Sequence, residues 1–73
     1  MDYKKAFPKR LTEVRKEAEL TQDQMAVAID ISRPSYTQYE TGVCFPKFEN
    51  LIKIAQTLNV SIDYLVGLSN KKN

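Results

Sequence analysis

The stretch L-T-Q-D-Q-M-A-V-A-I-D-I-S-R-P-S-Y-T-Q-Y-E-T, Leu20 to Thr41, reads as two short helices with a tight turn between them. Thr21 is a start signal, because its hydroxyl can accept from backbone N–H groups that lack a helical partner. Gln24, three residues later, completes a capping box. Met25, Ala26 and Ile29 then mark one apolar face at helical spacing. The turn falls at Asp30, a residue type that tolerates unusual backbone angles. A second start follows at once. Ser32 is an N-cap and Pro34 lies in the first turn, where its missing N–H does no harm. This second helix carries a polar face of Arg33, Thr37 and Gln38.

Working outward, residues 1–6 read as a frayed, basic arm, and Pro8 suits an early helix position. A first helix then runs to about Ala18, with Phe7, Leu11, Val14 and Ala18 on one side. Gly42 is a stop for the third helix, and Val43 to Pro46 form a loop. A fourth helix begins near Lys47, with Phe48, Leu51, Ile54, Ala55 and Leu58 as its apolar stripe and Asn59 as its end. Ser61 caps a short fifth helix, Asp63 sits in its positive first turn, Ile62 and Leu65 face inward, and Gly67 ends it. Residues 68–73 are a polar tail. No strand signal or repeat is present, so the expected fold is an all-α five-helix bundle. It is one domain, residues 1–73, with a core of about 7–67.

Composition excludes several classes. An apolar content of 42% argues against disorder. No run approaches the ~20 apolar residues needed to cross a bilayer, and no signal-peptide pattern precedes the domain. The single cysteine, Cys44, cannot form an internal disulfide, so a cytoplasmic location is expected. There is no histidine, metal-ligand cluster, nucleophile–base pair or glycine-rich phosphate loop. An enzyme is therefore not expected, and neither is a cofactor, a metal or a small-molecule ligand. The net charge of +2 is too mild to identify a partner. Lys4, Lys5, Lys9, Arg10, Arg15 and Lys16 crowd the first quarter, and they fit either a DNA-facing patch or an ordinary solvated surface.

Five segments in order carry a resemblance: R-L-T-E-V-R (10–15), L-T-Q-D-Q-M-A (20–26), S-Y-T-Q-Y-E-T-G (35–42), P-K-F-E-N-L-I-K-I-A (46–55) and L-N-V-S-I-D-Y-L (58–65). Together they resemble the Cro/phage-repressor type, or XRE-like, helix-turn-helix regulators, over roughly residues 7–67. The resemblance implies a lambda-repressor-like bundle whose second and third helices form the helix-turn-helix. It also implies binding to operator DNA, usually as a dimer, and control of transcription. By position, Gln22 matches a phosphate-contacting glutamine that often supports a side chain of the recognition helix. Ser32, Arg33, Pro34, Thr37 and Gln38 match groove-facing positions, and Ser35 matches a backbone contact. Arg15 and Glu40 match a structural ion pair between the first and third helices.

Helix geometry clusters residues 33, 34, 37 and 38 on one side. An Arg33 guanidinium can donate two bonds to guanine O6 and N7, or it can hold a phosphate. Gln38 can pair with adenine N6 and N7, or donate to guanine. Thr37 can set its methyl against thymine or its hydroxyl on a phosphate, while Pro34 can only pack. Tyr36 belongs to the core with its hydroxyl at the rim, whereas Tyr39 either braces the first helix or touches a phosphate. Two departures from the family pattern matter. Asp30 stands where glycine is common, and Val43-Cys44-Phe45 stand in a loop that is often basic. Fewer loop cations imply a shallower salt dependence. The apolar loop either tucks Phe45 into the domain or serves a contact between copies, together with the region around Tyr64, Val66 and Leu68. Cys44 is expected to be a buried or inert thiol, because the chain has no histidine to activate it.

The expected function is a sequence-specific, double-stranded DNA-binding regulator. A repressor is the favoured form, occupying an inverted-repeat operator as a homodimer. The alternative is an antitoxin or other protein-interaction module that uses the same fold.

Overall fold

The computed structural model describes residues 2–73 and contains five helices and no strand among them: α1 (Tyr3–Glu17), α2 (Gln22–Ala28), α3 (Arg33–Thr41), α4 (Phe48–Leu58) and α5 (Ile62–Val66). α1 packs on α3 and α5, α2 on α3 and α4, and α4 on α5. Every helix is followed by a left-handed residue: Glu19, Asp30, Gly42, Asn59 and Gly67. After α2, the Asp30 N–H donates to the Val27 carbonyl and the Ile31 N–H to the Ala26 carbonyl, which is a Schellman ending. The same pair of bonds follows α1, from Glu19 to Lys16 and from Leu20 to Arg15. Asp2, Thr21, Ser32 and Ser61 cap the starts of α1, α2, α3 and α5 through their side chains. The polypeptide therefore turns sharply four times within short loops, and its apolar faces close on one core.

Phe7, Leu11, Met25, Ile29, Tyr36, Ile54 and Leu65 are fully buried in that core. Each such side chain contributes about 1.5–3 kcal/mol relative to exposure. Asn50 is the polar residue in this layer, and its amide donates to the Tyr39 hydroxyl at 3.2 Å. Tyr39 is thus buried, with its hydroxyl held by α4 rather than reaching outward.

Three expectations are corrected. The basic arm is helical from Tyr3, because the Asp2 carboxylate accepts from the Lys4 N–H at 3.1 Å and starts α1 early; Met1 lies outside the described residues. Pro8 consequently sits inside α1, where the Lys4 carbonyl loses its helical donor. Ala18 and Phe48 leave the core: Ala18 is the exposed C-cap of α1, and Phe48, which opens α4, is 70% exposed. Helical periodicity assigns a face, but not whether a neighbour reaches the first or last residue of that face.

The polar tail is tied down. The Arg10 guanidinium donates to the carbonyls of Tyr64 and Ser69, both at 2.6 Å, and to Asn70 Oδ1 at 3.0 Å. It also lies 4.3 Å above the Tyr64 ring. Lys72 pairs with Glu17 at 2.8 Å, and its carbonyl accepts from the Ser61 N–H.

Candidate nucleic-acid interface

The site is built around Glu40, on the inner side of α3. Its carboxylate receives Arg15 Nε at 2.6 Å and a second Arg15 nitrogen at 3.1 Å. It also accepts from the Tyr36 hydroxyl at 2.5 Å, Gln22 Nε2 at 3.1 Å and Thr12 Oγ1 at 3.2 Å. Arg15 further donates to the Leu20 carbonyl at 2.8 Å. Burial raises the carboxyl pKa, but the hydrogen bonds from Arg15, Tyr36 and Gln22 outweigh it, so Glu40 ionises below its ordinary range. Burial, and then the bond to Glu40, pushes the Tyr36 phenol far above its usual value. The cluster is a charged pair with its remaining acceptor capacity filled, and it locks α1, α2 and α3 together.

This lock reaches the outer face of α3 through Gln22. While its amide nitrogen donates to Glu40, its amide oxygen accepts from Thr37 Oγ1 at 3.0 Å. Thr37 is therefore half-buried and oriented. Around it, Ser32, Arg33, Pro34, Ser35 and Gln38 are all exposed. The Ser32 hydroxyl accepts from the Ser35 N–H at 3.3 Å and donates to the Ser35 hydroxyl at 2.9 Å, so it is occupied as a cap. Arg33 Nε lies 3.6 Å from Asp23 Oδ1, an exposed pair. What faces solvent is a row of donors, an apolar proline ring and a fixed hydroxyl on a rigid helix. Such a row can meet base edges and phosphates.

The residues beside α3 are divided. Val43 is 70% exposed, whereas Phe45 is 40% exposed and stacks on Phe7 and Tyr3, with ring centroids 4.9 and 5.2 Å apart. Cys44 is exposed and not buried, and its thiol donates to Gln38 Oε1 at 3.3 Å. Tyr64 lies half-buried under Arg10, and Val66 is partly buried against the core. Of the basic residues crowded into the first quarter, Arg10 and Arg15 are occupied by internal partners.

Sequence reasoning missed Asp23, Thr12 and Arg10, and it missed Tyr36 as a Glu40 partner. Tyr36 and Glu40 stand four residues apart on one helix, so their spacing carried a usable signal. Arg10 reaches partners more than fifty residues away, for which no local pattern exists.

Residues 9–71 match the helix-turn-helix domain family. The chain is 46% identical over 67 residues to the uncharacterized HTH-type transcriptional regulator YqaE of Bacillus subtilis, covering 90% of this chain and 58% of that protein. It is 52% identical over 58 residues to the cryptic phage CTXphi transcriptional repressor RstR of Vibrio cholerae, covering 80% and 52%. It is 37% identical over 67 residues to the HTH-type transcriptional regulator ImmR of Bacillus subtilis, covering 89% and 53%. The chain spans little more than half the length of these curated relatives. No solved structure gives a significant match.

Proposed function

This chain belongs to the helix-turn-helix domain family of XRE-like transcriptional regulators, and from that premise we propose that it binds double-stranded operator DNA sequence-specifically and represses transcription as a dimer. The observation that carries the proposal is the outer face of α3. Arg33, Pro34 and Gln38 are exposed in a row beside an oriented Thr37, on a helix pinned from behind by Glu40.

In this mechanism α3 enters the major groove. Arg33 donates to guanine, Gln38 reads the next step, and Pro34 and the Thr37 methyl pack on thymine. Gln22, Ser32 and Ser35 hold the sugar-phosphate backbone and fix the register. One copy spans 29 × 23 × 20 Å. Two copies side by side suit half-sites one helical turn, about 34 Å, apart. Val43, Phe45, Tyr64 and Val66 are the proposed contact between them. Occupation of a promoter then blocks transcription sterically, in the cytoplasm of a prokaryotic cell.

The test is selection from a random duplex pool at near-physiological salt. An enriched inverted repeat is expected, and Arg33→Ala is expected to relax preference at one position by about 1–3 kcal/mol. No enrichment by folded protein overturns the proposal.

A second reading rests on the exposed apolar side chains of Val43 and Phe48, which suit a protein partner of an antitoxin-like module. It predicts partner binding that survives substitution of Arg33, Gln22 and Gln38.

A further inference from the structure

The geometry points to Asp23 as the positioning residue for Arg33, and through it as a determinant of guanine preference; this rests on the DNA-binding reading above. Arg33 opens α3, and its guanidinium is exposed on the outward face. Its neighbour is the Asp23 carboxylate, with Oδ1 3.6 Å from Nε. That contact is an ion pair longer than a hydrogen bond, and it lies at Nε. The two terminal nitrogens, which form the fork that donates to guanine O6 and N7, stay free.

The carboxylate stands on a rigid platform. Asp23 lies within the capping box of α2, between Thr21 and Gln24, whose reciprocal bonds are 2.8 and 3.0 Å. The adjacent residue, Gln22, ties α2 to Thr37 of α3 at 3.0 Å. The frame therefore fixes the backbone positions from which the two exposed side chains, 59% and 68% accessible, reach each other. An arginine restrained at Nε loses less conformational freedom when it docks on a base, because its fork is already aimed.

Asp23 also has an opposite effect. A carboxylate on the face that meets DNA repels phosphates, whatever the sequence. The two effects differ in kind: repulsion weakens every duplex equally, while positioning rewards only the duplex with guanine under Arg33. Asp23 thus trades general affinity for discrimination.

The experiment compares wild type, Asp23→Ala, Asp23→Asn, Arg33→Ala and the double variant Asp23→Ala/Arg33→Ala. Each is tested on the selected operator, on operators altered at one base pair at a time, and on an unrelated duplex. Thermal melting confirms that each variant is folded. In Asp23→Ala, preference at the guanine read by Arg33 is expected to fall about two- to fivefold, the range of an exposed ion pair. Affinity for the unrelated duplex is expected to rise. Asp23→Asn, which keeps an acceptor, loses less preference. In the Arg33→Ala background, Asp23→Ala changes no base preference further. Unchanged preference in Asp23→Ala, or an equal loss at every position, overturns the assignment while leaving the DNA-binding reading in place. A wild-type protein that retains no duplex overturns both.

Discussion

Arg15 Nε lies 2.6 Å from Glu40 Oε2, and this contact fastens α1 to the inner side of α3 with a carboxylate whose side chain is only 4% exposed. The outer side of the same helix carries the proposed reading face. The rigidity of that face is thus a property of the core, transmitted through Gln22 to Thr37.

Removal of either partner strands a buried charge. Arg15→Ala and Glu40→Ala are each expected to lose about 3–5 kcal/mol in urea unfolding. The double variant Arg15→Met/Glu40→Leu is expected to lose less than the sum, because neither charge then remains. Additive losses would show that the two groups act independently.

Glu40 also sets a pH dependence. Its folded pKa lies below the ordinary 4.5, so its contribution to stability is complete above that value and is lost as the pH falls through the folded value. Acid titration of the unfolding free energy is expected to show a decline that begins near 4.5 in wild type and is reduced in Glu40→Gln. At the alkaline end the sign reverses. The Tyr36 phenol is raised, so its stability is complete below 10.0 and is lost as the pH climbs toward the folded value. Tyr36→Phe is expected to flatten that limb.

The helix ends were legible because their signals are local. Thr21 with Gln24, Ser32 with Pro34, and Gly42, Asn59 and Gly67 each act within a few residues of themselves. Glu19 escaped because glutamate carries no preference for a left-handed ending. Phe48 carried a correct face but no information about coverage. At the candidate site, the exposed row on α3 followed from periodicity. The Asp23–Arg33 pair and the Arg10 staple did not, since both depend on how separate elements meet.

Asp30 adopts φ 60°, a conformation that costs most L-residues about 1–2 kcal/mol and aspartate less. Asp30→Gly is expected to raise stability by under about 1 kcal/mol, after the greater entropy of the unfolded glycine chain is subtracted. The reverse change is Gly42→Ala at φ 82°, where an added Cβ would meet Pro8 Cγ at an ordinary 3.5 Å. Its cost is therefore backbone strain alone, about 1 kcal/mol. Thermal melts of the two variants should move in opposite directions.

Arg10 holds the tail through the Ser69 carbonyl and the Asn70 side-chain oxygen, and joins it to α5 through the Tyr64 carbonyl. Arg10→Lys keeps the charge but not the fork, so it is expected to recover only part of the loss in Arg10→Ala, itself about 2–3 kcal/mol. Hydrogen exchange at Leu68 and Ser69, whose N–H groups donate to the Asp63 carbonyl, reports the release directly. Unchanged protection there in Arg10→Ala would show that the tail is held by Lys72 instead.

Val43 offers a way to separate the two roles proposed for its loop. It is exposed at the end of α3, where no cation stands between Gly42 and Phe45. If the loop lies along a phosphate strand, Val43→Lys adds one contact per copy. The slope of log K against log salt then steepens by about 0.9 for a monomer, or about 1.8 for a dimer on two half-sites. If the loop instead joins two copies, a lysine buries charge in that contact, and binding to the inverted repeat loses its cooperativity while a single half-site is bound as before. The expected result, from the proposed contact at Val43 and Phe45, is the loss of cooperativity. A steeper slope with cooperativity intact would move the dimer contact to Tyr64 and Val66.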